Sequence, residues 1–260
     1  MSTMTGSSSV AQGLLTRLTH LNFSGGKISA DQANEVNQLL QQLREQGTAA
    51  IPAIREYLQQ NQDFSFDDFA GGNLVNYGTL RVGLIDALQQ IGGAEAIQLT
   101  VATLQQTADP LEIVLLSSFL ESQQPGQFRQ FELAAAQEVL IQAANGQVPG
   151  RDMSPLFELL QAYGSTNIVP DLEKAVSRWN YYATLALAGL PDGAGIPTLI
   201  KLAQDPAVSS IGSGDFALRP LAQAANHRRH TRDFLVGAHG TRSRPRRFAA
   251  DVDDIRPLFG

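Results

Sequence analysis

A short pattern recurs along the chain: a glycine, a few residues, then an aliphatic residue that opens a helical stretch. Ile51-Pro52-Ala53-Ile54 follows Gly47, and Ile97-Gln98-Leu99-Thr100 follows Gly93. Val169-Pro170-Asp171-Leu172 follows Gly164, and Ile196-Pro197-Thr198-Leu199 follows Gly193. Three of the four copies place Pro at the same position. Proline is tolerated in the first helical turn, where the N–H groups have no intrahelical acceptor, and costs about 3 kcal/mol inside a helix. Its recurrence therefore marks helix starts. The copies begin at residues 51, 97, 169 and 196, separated by 46, 72 and 27, and the middle interval equals two units of 36. These spacings fall in the range of helix-pair arrays, about 30–47 residues per unit.

The clearest stretch runs from Trp179 to Asp205. Trp179, Tyr182, Ala183, Ala186 and Leu190 share one helical face, with Tyr181, Leu185 and Ala188 on the other. A helix apolar almost all round is expected to be buried on both sides. Pro191, Gly193 and Gly195 then break the chain before the next helix.

Arg81-x-x-Leu84-x-x-Ala87-Leu88-x-x-Ile91-Gly92-Gly93-x-x-x-Ile97 resembles a HEAT-type repeat, closest to the short variety of phycobilisome-lyase-like proteins and many bacterial scaffolds. Tyr182 to Leu202 looks like another copy, and the resemblance covers residues 32 to 205. It implies an all-α, right-handed α-solenoid of about five stacked antiparallel helix pairs, armadillo-like in character. It brings no catalytic motif, because the shared residues are packing and turn positions.

In chain order, residues 1–9 are expected as a disordered Ser/Thr/Gly tail, with the solenoid spanning 10–225. Helices are expected over 10–22, 30–46, 49–60, 77–91 and 94–106. Asp109 reads as a cap with Pro110 in the first turn, opening a helix to Glu121. The next runs from Phe128 to Asn145, with Phe131, Ala135, Val139 and Ala143 near one face. Ser154 reads as the cap of a helix ending at Gly164, partnered by 166–178, and a last helix begins at Phe216. No apolar run approaches the length of a membrane span, about 18 residues. The first residues lack the basic and apolar regions of a signal peptide, so a cytoplasmic protein is expected. The chain has no cysteine, which rules out disulfides and thiolate metal sites.

Chemistry-bearing patterns are few. Gly92-Gly93 and Gly193-Ala194-Gly195 lack the preceding strand of a phosphate-binding loop and read as turns. Asp63, Asp67 and Asp68 lack the alternating oxygen ligands and closing Glu of a calcium loop, and read as a solvated acidic loop. His227 and His230 are spaced for a metal but sit among arginines. No Gly-x-Ser-x-Gly nucleophile elbow occurs. No catalytic, cofactor-binding or metal-binding residue is therefore assigned. Two segments remain as binding candidates. One is the irregular insertion 62–76, where Asp63, Asp67 and Asp68 alternate with Phe64, Phe66 and Phe69. The other is the aromatic group Trp179, Tyr181 and Tyr182, which lines either a groove or the core.

Charge divides the chain. Residues 1–225 net −10, a surface that repels nucleic acid. Residues 226–260 hold eight Arg and four Asp, net +4, with three of the four His. That segment reads as a basic arm docking on the acidic solenoid or on an acidic partner, as a disordered tail, or as non-native coding sequence, as after a frameshift. Trypsin is expected to cut first between Arg228 and Arg247, leaving a core ending near Ala225. Resistance of those sites equal to that of the core would show a folded cap instead. The expected function is a scaffold that binds another protein or a peptide, with a chromophore-lyase-like or chaperone-like protein as the alternative.

Overall fold

The computed structural model describes residues 3–60, 62–148 and 151–204. The chain divides into two compact units, Met1–Tyr163 and Gly164–Gly260. Among the described residues the protein is all-α, with eleven α-helices, short 3-10 turns and two isolated β-bridges.

The first unit holds α1 (Thr3–Thr19), α2 (Ala30–Glu45), α3 (Ile51–Gln59), α4 (Leu80–Ile91), α5 (Gly93–Leu104), α6 (Pro110–Gln123), α7 (Arg129–Ala144) and α8 (Ser154–Tyr163). Their boundaries have local causes. Ser29 and Gln32 close a reciprocal capping box at the start of α2. The Asp109 carboxylate accepts from the backbone N–H of Leu111 at 2.9 Å and of Glu112 at 3.2 Å. Pro110 opens α6 directly after this cap. Gly92 (φ 65°) and Gly93 (φ 84°) both take the left-handed region and turn α4 into α5. Glycine alone adopts that region without steric cost.

Each apolar face is covered by neighbouring helices. Helix α4 packs on α5 and α6, α5 on α6 and α7, α6 on α7 and α8, and α7 on α8. Helix α1 packs on α2 and α3, and α2 on α4. Leu39, Leu40, Leu43, Ile54, Leu84, Ile85, Leu88 and Leu104 are fully enclosed between them. Packed helix pairs of this kind are compatible with a helical repeat array.

The second unit contains α9 (Val169–Ala175), α10 (Asn180–Gly189) and α11 (Ile196–Gln204), with α10 packed on both others. Gly195 marks the close approach of the α11 entry to α10, since a Cβ there would lie 2.1 Å from the Leu187 carbonyl oxygen. Gly195→Ala is expected to destabilise by about 1–3 kcal/mol through that overlap. Gly13, in α1, has open space around it. Gly13→Ala is expected to stabilise by about 0.5–1 kcal/mol through helix propensity. Denaturant titrations check both signs, and equal effects of the two substitutions would remove the close-approach argument.

Several expectations are corrected. Thr3 to Ser9 lie in α1, where a disordered tail is expected. Three of the four repeat starts fall on the expected residue, at Ile51, Val169 and Ile196. The fourth does not: α5 begins at Gly93, and Ile97 lies half-buried inside it. Helix α10 is not buried on both sides. It buries Ala183, Thr184, Ala186 and Leu187, while Tyr181 is 57% exposed. In α7 the buried stripe is Glu132, Ala136, Val139, Leu140 and Ala143, and Phe131 points outward. Ser154 is the first residue of α8, and Asp152 accepts from its N–H at 2.9 Å and its hydroxyl at 2.8 Å. The helix expected from Phe216 and the basic segment 226–260 lie outside the described residues. No helix among the described residues is long and apolar enough to cross a membrane.

Candidate functional site

The insertion between α3 and α4 is held by backbone and ring contacts. Phe66 N–H donates to the Gly78 carbonyl (2.8 Å), and Leu80 N–H donates to the Phe64 carbonyl (2.9 Å). Two further bonds join it to the α1–α2 connection: Ile28 N–H to the Ala70 carbonyl (2.8 Å) and Ala70 N–H to the Gly26 carbonyl (3.0 Å). Asn37 on α2 clamps its far end, donating to the Leu74 carbonyl (3.3 Å) and accepting from the Asn76 N–H (3.1 Å). Buried backbone groups must be paired, and these bonds do so without regular secondary structure.

The three Phe rings of the insertion turn toward one another and toward Phe23. Phe64 lies 5.3 Å from Phe66 and 5.4 Å from Phe69, while Phe23 lies 5.5 Å from Phe64 and 5.4 Å from Phe69. Such tilted, edge-on and stacked pairs add stability beyond the area they bury. Phe66 is buried, with Phe64 and Phe69 half-buried. The acidic residues have separate roles. Asp67 and Asp68 face solvent. The Asp63 carboxylate accepts from the Phe64 N–H (2.8 Å) and the Arg81 N–H (3.1 Å), in the first turn of α4. Asp63 is itself exposed as a residue, and partial desolvation of its carboxyl raises its pKa against the pull of these hydrogen bonds.

Behind Asp63 lies a charged network that sequence reasoning missed. Arg81 and Glu112 are both buried and form a bidentate pair, Nε to Oε1 at 2.6 Å and Nη2 to Oε2 at 2.9 Å. This fork-to-fork geometry is the strongest form of such a contact. Arg81 also donates to the Leu58 carbonyl (2.9 Å), and the Thr107 hydroxyl donates to Glu112 (2.6 Å). Burial works against the Arg81 charge, but the Glu112 carboxylate more than offsets it and holds the guanidinium above its ordinary pKa. Burial and the Asp63 charge push the neighbouring Tyr57 up to about 12. The network joins α3, the insertion, α4 and α6, with every charge satisfied inside it. That is the construction of a brace rather than of a reactive site.

A more open polar group lies between α2 and α4. Arg44 donates to the Tyr77 hydroxyl (3.0 Å) and to Asp86 (3.1 Å), and Gln90 also donates to Asp86 (2.7 Å). Beside it an open cleft of about 390 Å³ is lined by Gln41, Arg44, Glu45 and Gln90. It holds no pair of groups arranged as nucleophile and base.

In the second unit, Trp179 and the first turn of α10 carry an aromatic surface. Tyr181 and Tyr182 are 57% and 39% exposed and meet edge-on at 5.4 Å. The Arg178 guanidinium lies 5.0 Å from the centre of the half-buried Trp179 ring, within cation–π range. The face of α10 opposite the tyrosines is buried, so the backbone beneath the rings is fixed.

The structure thus keeps the two candidate segments apart in character. Phe64, Phe66 and Phe69 are turned into a ring cluster, and Asp63 caps a helix; Tyr181 remains exposed, with Trp179 half-buried beside it. Among the described residues, no three His, Asp or Glu side chains are grouped to hold a metal ion. Compared with protein-family models, curated proteins and solved structures, the chain matches none of them.

Proposed function

We propose that the chain is a HEAT-like helical-repeat scaffold, a right-handed array of helix pairs, that binds another protein or a peptide through the aromatic surface of Trp179, Tyr181 and Tyr182. The observation that carries this reading is the exposure of two tyrosines on a helix whose opposite face is firmly buried. Tyrosine and tryptophan offer large, stiff, amphipathic contact area and dominate the energetics of interfaces. Arrays of helix pairs present extended surfaces suited to such contacts, and their function resides in surface residues rather than in the fold.

A random-peptide phage library panned against the full chain tests the proposal. The parent should enrich a convergent set of peptides, and Tyr181→Ser should lose them at least tenfold with unchanged far-ultraviolet circular dichroism. Absence of enrichment, or enrichment indifferent to both Tyr181→Ser and Trp179→Ser, would sink the assignment of this surface.

A further inference from the structure

Helices α2 and α4 pack side by side and run in the same direction. Asn37 is bonded to Leu74 and Asn76, just ahead of α4. Leu40 lies against Gly83, where an added Cβ would stand 2.9 Å from its Cδ1. Arg44 reaches Asp86. Contacts that advance together along both helices mean a parallel pair, so the two C-terminal turns end next to each other. The cleft of about 390 Å³ lies there, lined by Gln41, Arg44 and Glu45 from the end of α2 and Gln90 from the end of α4. Two helix dipoles thus bring their negative ends to one place, which favours a cation.

Hydrogen bonds among the lining residues fix what the cleft offers. Asp86 Oδ2 accepts from Arg44 (3.1 Å), from Gln90 Nε2 (2.7 Å) and from the Tyr77 hydroxyl. Asp86 thereby neutralises Arg44, the cation of the lining, and Glu45 is left to set the sign. Gln41 Nε2 donates to Glu45 Oε1 at 3.0 Å. A carboxylate only accepts, so both glutamines must turn their NH2 groups to Asp86 and Glu45. Each then keeps its carbonyl oxygen for a further donor. With the exposed Glu45 carboxylate, the lining presents three acceptors and one net negative charge. The surroundings agree in sign: residues 1–163 hold sixteen Asp and Glu against seven Lys and Arg, a net of −9.

We infer that the cleft between the C-terminal turns of α2 and α4 binds a primary alkylammonium group. Its three N–H donors match Gln41 Oε1, Gln90 Oε1 and the Glu45 carboxylate, and its charge answers Glu45 and the two helix ends. The same chemistry is carried by a free polyamine and by the lysine side chain of a partner polypeptide. Either is drawn in by the acidic surface around the cleft.

Titration of the isotope-labelled full chain, followed by amide chemical shifts, tests this. Spermidine stands for the free polyamine, and Nα-acetyl-lysine methylamide for the polypeptide side chain. At least one should give saturable shifts centred on residues 41–46 and 89–93, and the tighter of the two names the source. Glu45→Gln should weaken that binding about tenfold, the loss of one charge-assisted hydrogen bond, with unchanged circular dichroism. The fully N-methylated quaternary form of each probe keeps its charge without N–H donors, and should also bind about tenfold more weakly. No saturable shift at those amides from either probe, equal binding of the quaternary forms, or unchanged affinity in Glu45→Gln would overturn the proposal.

Discussion

Arg81→Met should destabilise the first unit by about 3–5 kcal/mol, the loss expected when one partner of a buried ion pair is removed. The loss comes less from the missing attraction than from Glu112, left 2% exposed with a charge that nothing neutralises. The Thr107 hydroxyl would be its remaining side-chain donor. One further result distinguishes this cause from lost packing. Adding Glu112→Leu should restore most of the stability, because the orphaned charge goes with it. Urea unfolding of the two single variants and the double variant measures the coupling. If the two losses simply add, the pair is not acting as a unit and the brace argument fails.

The helix starts were legible because their causes are local. Pro52, Pro170 and Pro197 mark first turns, Asp109 with Pro110 is a complete cap, and Gly92-Gly93 needs only its own φ angles. Ser29 and Gln32 carry an equally local signal, the capping-box spacing. The insertion was half legible. Its alternation of Asp with Phe announces rings on one side and charge on the other. The partner that encloses the rings is Phe23, far earlier in the chain and carrying no sign of that role. Glu112 shows how a local reading misleads: a Glu in the first turn of α6 looks like a solvent-exposed complement to the helix dipole. Its burial is decided by Arg81, 31 positions away. In α7 the apolar residues 131, 133, 134, 135, 136, 139, 140, 141, 143 and 144 cover most of the helix circumference. Periodicity alone therefore leaves two registers open, and the one adopted buries Glu132 at the expense of Phe131. Of the aromatic surface, the sequence shows the rings but not their exposure, which depends on which face of α10 meets α9 and α11.

Glu132→Leu should leave stability almost unchanged at pH 5 and raise it above pH 7.5. The sign follows from the protons. The folded parent holds a proton on Glu132 up to about pH 7, whereas the unfolded chain releases it near the ordinary 4.5. Between those values the native state binds more protons, so rising pH weakens the parent; above about 7 both states are ionised and the curve is flat. An interval from 4.5 to about 7 corresponds to about 3.5 kcal/mol at roughly 1.4 kcal/mol per unit. Leucine has similar volume and no proton, so the variant escapes this loss, and its advantage over the parent should open across the same window. Comparing parent with variant cancels every other titrating group. The size of the gap carries further information. That figure of about 3.5 kcal/mol is a ceiling, since local opening of α7 that lets the carboxylate reach water limits the penalty to the cost of that opening. A gap well below that ceiling is what such local opening produces. A constant difference from pH 5 to 8 would mean that Glu132 is hydrated and titrates as an ordinary carboxylate. Its enclosure would then not be the native arrangement.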